Sequence, residues 1–236
     1  MKPALFSFTA LLFFAASVFI ALEYEAVVYF FVLKLGLGWV YSSIFIRIIV
    51  AFLFIIGLNS IFKIFKRTRT VKKWIVVLIG IVPGFFISFG ISPIYDIDYG
   101  MLDDKLKLET FAELPNDTND TYVHSGGSEL IAFLDVGCEH CKMALKKLNA
   151  NVAAGQVIPI HLFFHNDSSD VLNFMGNNNE ESITLHYLQN EGQFIEHAGF
   201  EFPSIFLMNP QSETNYHWVG DEMNYSALDY LLSLEQ

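Results

Sequence analysis

The chain has 236 residues, 53% of them hydrophobic, and its net charge of −11 is unevenly distributed. Residues 1–95 contain nine Lys or Arg and two acids, a net charge of +7, whereas residues 96–236 contain five Lys and 23 acids, a net charge of −18. This asymmetry indicates two regions in different surroundings, and the acidity of the second region argues against nucleic acid as a partner.

Three long apolar runs in the first region predict three membrane-spanning helices. They are Pro3–Leu22, Trp39–Phe62 and Trp74–Tyr95. Twenty helical residues at about 1.5 Å each extend about 30 Å, which matches the hydrocarbon core of a bilayer. The alternative for the first run is a cleaved signal peptide, but the run is long for one and has no clear small-residue cleavage site.

The segment between the first two runs leaves several interpretations open. Residues 26–35 either extend the first helix, lie at the membrane interface or form a short fourth span. Gly36 and Gly38 are expected to end whatever precedes the second run. Arg47, the charge within that run, is either a functional buried charge or, as favoured here, an arginine that extends to the lipid headgroups.

The orientation in the membrane follows from the segment Lys63–Lys73, in which six of eleven residues are basic. Short loops rich in Lys and Arg stay in the cytoplasm. The third span then delivers residues 96–236 to the other side. The sequence therefore predicts a multi-pass protein of the cell (inner) membrane with an extracytoplasmic C-terminal domain, and residues 1–95 as its anchor.

The segment from Arg47 to Lys63, with Phe and Gly between them, weakly resembles a helix of the DoxX/MauE group of small redox-associated membrane proteins. This resemblance covers under a tenth of the chain.

The acidic region alternates predicted strands and helices after a linker at residues 96–121. A short strand is predicted near Tyr122. Four short apolar runs typical of buried strands follow it. They are Leu130–Leu134, Val157–Phe164, Pro203–Met208 and Tyr216–Gly220. The predicted helices run from the cysteines to near Gly155, over much of Ser168–Asn190, and over Ser226–Leu234. Alternating strands and helices favour an α/β domain with a parallel crossover.

The chain contains two cysteines, Cys138 and Cys141, with Glu139 and His140 between them. A pair this close cannot staple a long loop, so its value lies in its chemistry. Cys138 falls at the predicted helix start, where free N–H groups and the helix dipole stabilise a thiolate. Protonated His140 would add to this stabilisation and Glu139 would oppose it. We expect Cys138 to be the nucleophile and Cys141 the resolving thiol.

The strand before Cys138, the CxxC motif at a helix start and the strand that begins at Pro203 together resemble the thioredoxin fold. The resemblance covers residues 122–236, places Phe202–Pro203 at that family's cis-proline, and implies an α/β thioredoxin-like domain. The 62 residues from Cys141 to Pro203 are similar to the helix-containing insertion of membrane-tethered TlpA/ResA-type oxidoreductases, and His140 is similar to the pattern of DsbA-like oxidants.

This resemblance implies a thiol–disulfide oxidoreductase with Cys138, Cys141, His140 and Pro203 as catalytic residues and Glu139 and Phe202 in support. The implied partners are the thiols or disulfides of exported proteins and a separate membrane or periplasmic redox partner, without a cofactor or metal. The chain departs from thioredoxin at Ala132, where that family carries a buried acid, and the direction of electron flow stays open.

The alternative is a non-catalytic binding module of the same fold that handles copper or zinc. Two thiolates at CxxC spacing make half of a metal site, and any of seven histidines is available to complete it, namely His124, His140, His161, His165, His186, His197 and His217. The sequence contains no second CxxC and no closely spaced pair of histidines, which favours the redox interpretation.

Overall fold

A computed structural model describes residues 2–65, 82, 86, 90, 113–114, 122–123, 125–176, 182–188, 190–208, 216–220 and 223–234. The chain separates into two compact units, residues 1–95 and 96–236.

Residues 2–65 of the first unit form three helices: α1 (Lys2–Leu22), α2 (Tyr24–Leu35) and α3 (Trp39–Phe65). Helix α2 ends at Gly36, which has φ +64° and donates its N–H to Val32 O at 3.1 Å. Glycine adopts this left-handed conformation without the steric cost of a Cβ. The predicted break before the second run is therefore confirmed.

Among the described residues, one helix is long and apolar enough to cross a membrane, at Trp39–Ile61. A second span results if Phe8–Leu22 and Tyr24–Leu35, which are bent by 77°, count as one. The third predicted run, Trp74–Tyr95, lies outside the described residues except for helical positions 82, 86 and 90. The presence of three membrane spans therefore remains a prediction.

Polar side chains lie between the helices of the first unit. Arg47 is 4% exposed, and its guanidinium carbon lies 4.8 Å from the centre of the Tyr24 ring. The Tyr24 hydroxyl hydrogen-bonds Ser43, and the Ser17 hydroxyl donates to Val50 O at 3.1 Å. The expectation that Arg47 extends to the headgroups is wrong, because the helices enclose its side chain.

The second unit contains a five-stranded sheet in the order β5-β4-β3-β6-β7. Its strands are β3 (Glu129–Phe133), β4 (Ile160–Phe164), β5 (Ile183–Tyr187), β6 (Ser204–Met208) and β7 (Tyr216–Val219). The central strand β3 pairs in parallel with β4 and antiparallel with β6. A separate two-stranded ladder joins β1 (Glu113–Leu114) to β2 (Tyr122–Val123).

Four described helices surround this sheet: α4 (Glu139–Ala153), α5 (Ser168–Met175), α6 (Glu191–Ala198) and α7 (Tyr225–Ser233). Alternate residues of β3 face opposite sides, and Ile131 and Phe133 pack in one core cluster with Phe194 of α6. Helices α4 and α7 contact each other, since Asn151 Nδ2 donates to Leu228 O at 3.2 Å.

The insertion between β4 and β6 differs from the predicted helical stretch Ser168–Asn190. Helix α5 ends at Met175, and Ile183–Tyr187 forms the edge strand β5, which pairs in parallel with β4. The β-branched and aromatic residues of this segment favour a strand, and the open edge of β4 supplies its hydrogen-bonding partners. Helix α6 follows, so the described insertion contains two helices and a strand rather than one helix.

The strand order, with a central strand that leads into the CxxC helix and an antiparallel pair on one side, is thioredoxin-like. The second unit is therefore an α/β domain of the kind that the sequence predicts.

Candidate active site

Cys138 occupies the N-cap position of α4. A short turn connects strand β3 to Cys138. The backbone of Cys138 is extended, with φ −90° and ψ 119°. Its sulfur accepts a hydrogen bond from the Cys141 N–H at 3.3 Å. An N-cap side chain satisfies an otherwise unpaired helical N–H, and the positive end of the helix dipole favours a negative charge there.

Cys141 lies in the first turn of the same helix, and its side chain is fully buried. The Asp135 N–H donates to its sulfur at 3.4 Å. Burial raises the pKa of the Cys141 thiol, and the bond from Asp135 offsets part of this effect. Since Cys138 is partly exposed and Cys141 is not, the two sulfurs differ sharply in their access to a substrate.

The loop before β6 brings its backbone to Cys138. The Phe202–Pro203 peptide bond is cis, in agreement with the sequence prediction. The Cys138 thiol lies 3.5 Å from Phe202 O, and the Gly220 N–H donates to Pro203 O at 2.8 Å. Four of the predicted site residues, Cys138, Cys141, Phe202 and Pro203, are thus brought together although the last two are more than 60 positions away in the chain.

The two residues inside the motif are oriented outward. Glu139 and His140 are exposed, and Glu139 forms an ion pair with Lys142 at 2.6 Å. Among the described residues, no hydrogen bond joins His140 to either cysteine. The catalytic role of His140 and the supporting role of Glu139 remain predictions.

The structure adds a pair that the sequence analysis missed. His165 Nε2 lies 3.1 Å from Asp135 Oδ2, and Asp135 Oδ1 accepts the Gly137 N–H at 2.7 Å. Asp135 comes two residues after β3 and His165 one residue after β4. Adjacent parallel strands end at the same edge of a sheet, so this spacing after each strand was the available signal.

The histidines also pair in a way that sequence spacing did not reveal. His161 Nδ1 and His186 Nε2 lie 2.9 Å apart, beside Tyr122 and the buried carboxylate of Glu129. The lack of closely spaced histidines in the sequence therefore did not exclude a histidine pair in the fold. However, no group of three or more His, Cys, Asp or Glu in the described part of the chain could hold a metal ion.

No known protein family and no curated protein matches this chain in sequence. Solved structures similar to it are thioredoxin-like thiol–disulfide oxidoreductases. One is a secreted disulfide oxidoreductase of Mycobacterium tuberculosis homologous to E. coli DsbE, with 12% identity, 54% of this chain and 98% of that chain covered, and a TM-score of 0.43.

Two more are the thioredoxin domain of a thiol-disulfide oxidoreductase from Bacteroides vulgatus and the exposed lipoprotein thioredoxin of Streptococcus pneumoniae. The first has 16% identity and a TM-score of 0.39, and the match covers 51% of this chain and 92% of that chain. The second has 17% identity and a TM-score of 0.38, and the match covers 52% of this chain and 98% of that chain.

Proposed function

We propose that this protein is a membrane-anchored thiol–disulfide oxidoreductase that acts on thiols or disulfides of exported proteins through Cys138 and Cys141. The observation that carries the proposal is the contrast between the two sulfurs. Cys138 caps the helix, is partly exposed and lies beside Phe202 O, whereas Cys141 is buried one turn further along.

The reduction of a substrate disulfide then proceeds in two exchange steps. The Cys138 thiolate attacks one substrate sulfur, a mixed disulfide forms, and the other substrate sulfur leaves as a thiolate that takes up a proton. Cys141 loses its proton and attacks the Cys138 sulfur, which releases the second substrate thiol. The substrate gains two electrons and the protein retains a Cys138–Cys141 disulfide, and the reverse sequence oxidises a dithiol.

The raised pKa of Cys141 supports this order of attack. Only the thiolate is nucleophilic, and a buried thiol with a raised pKa is almost entirely protonated near neutral pH. Cys141 therefore waits until a mixed disulfide has formed beside it. The Phe202 carbonyl lies next to Cys138, where it can pair with an extended substrate chain.

The proposed anchor is a set of three membrane spans in residues 1–95, with the oxidoreductase domain outside the cytoplasm. The basic segment Lys63–Lys73 and the apolar helix α3 support this placement. Residues 1–95 contain no cysteine, so this region cannot relay electrons by thiol exchange. It anchors the domain or binds a separate redox partner in the membrane.

Trapping of mixed disulfides tests the proposal. Full-length Cys141→Ala should accumulate adducts with exported proteins that dithiothreitol releases, because the resolving thiol is missing. The Cys138→Ala and double variants are the matched controls and should form none. Retention of a stoichiometric metal by the wild-type protein, together with no adducts in Cys141→Ala, would instead support the binding-module alternative.

A further inference from the structure

A surface pocket of about 280 Å³ lies against the helix that carries the cysteines. It is lined by Lys142, Leu145, Lys146 and Asn149 of α4 and by Phe174 of α5. Helix α5 belongs to the insertion between β4 and β6, so the insertion supplies one wall of the pocket.

The pocket continues the face of α4 on which Cys138 lies. The pocket residues Lys142, Lys146 and Asn149 follow Cys138 by four, eight and eleven positions. Residues with these separations lie on one side of a helix. The Lys142 N–H donates to Cys138 O at 3.2 Å. At about 1.5 Å per residue, the pocket extends from about 6 to about 16 Å beyond Cys138 along the helix axis.

The lining combines an apolar floor with unsatisfied polar groups. Leu145 is buried, and Phe174 packs edge-on against Phe164 with ring centres 5.8 Å apart. Both polar atoms of the Asn149 side chain are buried and have no hydrogen-bond partner among the described residues. A buried amide without partners is costly, so rotation of the Asn149 side chain toward a ligand with its own donor and acceptor would be stabilised.

Two lysines line this pocket although the domain around them is strongly acidic. Residues 96–236 contain only five basic residues against 23 acids, and two of the five, Lys142 and Lys146, line the pocket. Glu139 pairs with Lys142, but both side chains of that pair are more than half exposed and its attraction is weak. The lysines therefore offer a local attraction for carboxylates on an otherwise acidic domain.

The size of the pocket limits what it holds. An apolar cavity of about 150 Å³ takes one benzene ring, and typical cofactor pockets have about 300–1,000 Å³. A volume of about 280 Å³ thus fits one large apolar side chain with a polar neighbour, and it is small for a nucleotide or a haem.

We infer that this pocket binds an acidic segment of the protein whose cysteine reacts with Cys138. A large apolar side chain of that segment occupies the floor formed by Leu145 and Phe174, a carboxylate lies near Lys142 and Lys146, and a backbone amide pairs with Asn149. This inference rests on the proposed function, and it assigns the pocket as the specificity surface for the partner protein.

Activated peptides test this assignment. An extended chain advances about 3.3 Å per residue, so the pocket lies two to five residues from a cysteine bound to Cys138. Full-length Cys141→Ala in detergent is mixed with peptides whose cysteine carries thionitrobenzoate and is followed, three residues later, by Phe-Glu, Phe-Lys or Ser-Glu. Attack of the Cys138 thiolate on the peptide sulfur forms the mixed disulfide and releases coloured thionitrobenzoate.

The Phe-Glu peptide should react about three to ten times faster than Phe-Lys, as expected for one or two exposed lysine–carboxylate contacts. It should also react faster than Ser-Glu, which lacks the apolar side chain that the pocket buries. Lys142→Gln with Lys146→Gln should remove its advantage over Phe-Lys. The matched control is Lys147→Gln, because Lys147 Nζ instead donates to Met223 O at 3.0 Å and does not line the pocket. Equal rates for all three peptides, or a preference that survives loss of Lys142 and Lys146, would overturn the inference.

A binding measurement separates failure of the pocket from failure of the chemistry. Full-length Cys138→Ser with Cys141→Ala is titrated with a fluorescent Phe-Glu peptide that contains no cysteine. Binding that Lys146→Gln weakens and Lys147→Gln does not supports the pocket, even if Cys138 fails to react with any peptide. No binding, or equal loss in both lysine variants, counts against the pocket whatever the reactivity of Cys138.

Discussion

The carboxylate of Asp135 lies 3.1 Å from the imidazole of His165, at the carboxyl ends of two neighbouring parallel strands. The main chain of Asp135 contacts both cysteines, because its N–H donates to Cys141 Sγ at 3.4 Å and its carbonyl accepts the Cys138 N–H at 3.2 Å. This residue therefore links the edge of the sheet to the start of the redox helix.

Asp135→Ala is expected to lower the free energy of unfolding by about 1–2 kcal/mol, because Gly137 N–H and His165 lose their acceptor. Asp135→Asn keeps an oxygen for Gly137 and should lose less. Urea titrations of the full chain in detergent, followed by near-UV circular dichroism, measure both. Equal stability of the Ala variant and the parent would show that the carboxylate does not hold the turn.

The buried carboxylate of Glu129 is expected to matter more for stability than any surface acid. Glu129 is 2% exposed and accepts hydrogen bonds from the Tyr122 hydroxyl and from the Ser125 N–H, the latter at 3.0 Å. Glu129→Ala leaves these donors without their acceptor and should cost about 2–4 kcal/mol.

Glu129→Gln retains one acceptor oxygen, so its loss should be clearly smaller in the same urea titration. The Ala variant of exposed Glu196 is the surface control and should change the free energy by less than about 0.5 kcal/mol. A Glu129→Ala variant as stable as that control would contradict a structural role for this network.

His186 is expected to make the domain sensitive to mild acid. Burial, with a smaller contribution from His161, lowers the pKa of His186 to about 4 from an ordinary value of 6.5. Between these values the unfolded chain binds the proton and the folded chain does not. The free energy of unfolding should therefore fall as the pH drops from 6.5 to 4, by an amount on the order of 3 kcal/mol.

His186→Phe and His186→Gln both remove this titration, although only Phe preserves a ring stacked on Phe163, which in the parent lies 4.5 Å from the His186 ring. Their absolute stabilities will differ, but both should show a shallower pH dependence between 6.5 and 4 than the parent. Unchanged slopes in both variants would show that His186 is not the group responsible.

Local patterns were sufficient for the parts of the site that depend on one strand and the element after it. The apolar run before Cys138 predicted a strand followed by a helix, and the structure has β3 (Glu129–Phe133) and then α4. Pro203 at the head of an apolar run likewise predicted the strand that the structure has as β6. The contact of the Phe202–Pro203 loop with Cys138 was instead expected only from the resemblance to the thioredoxin fold, because it joins positions 64 apart in the chain.

Features that depend on which elements become neighbours could not be predicted in this way. Asp135 and His165 are 30 positions apart, and His161 and His186 are 25 apart, so their pairing follows from strand order rather than from spacing. Strand β5 was missed because its backbone partners are supplied by β4, which its own sequence does not show. Arg47 was misplaced because its burial depends on how α2 and α3 pack.

The most direct test of the account compares the alkylation rates of the two cysteines in single-cysteine variants of the full chain. The Cys141→Ala variant retains only Cys138, and the Cys138→Ala variant retains only Cys141. Each variant is treated with iodoacetamide at pH 7 in detergent, and its alkylation is followed by mass spectrometry. We predict that Cys138 reacts at least about a hundred times faster, since the thiol of Cys141 is fully buried and its pKa is raised. Equal rates, a faster Cys141, or a Cys138 that reacts only after denaturation would contradict the assignment of Cys138 as the attacking sulfur.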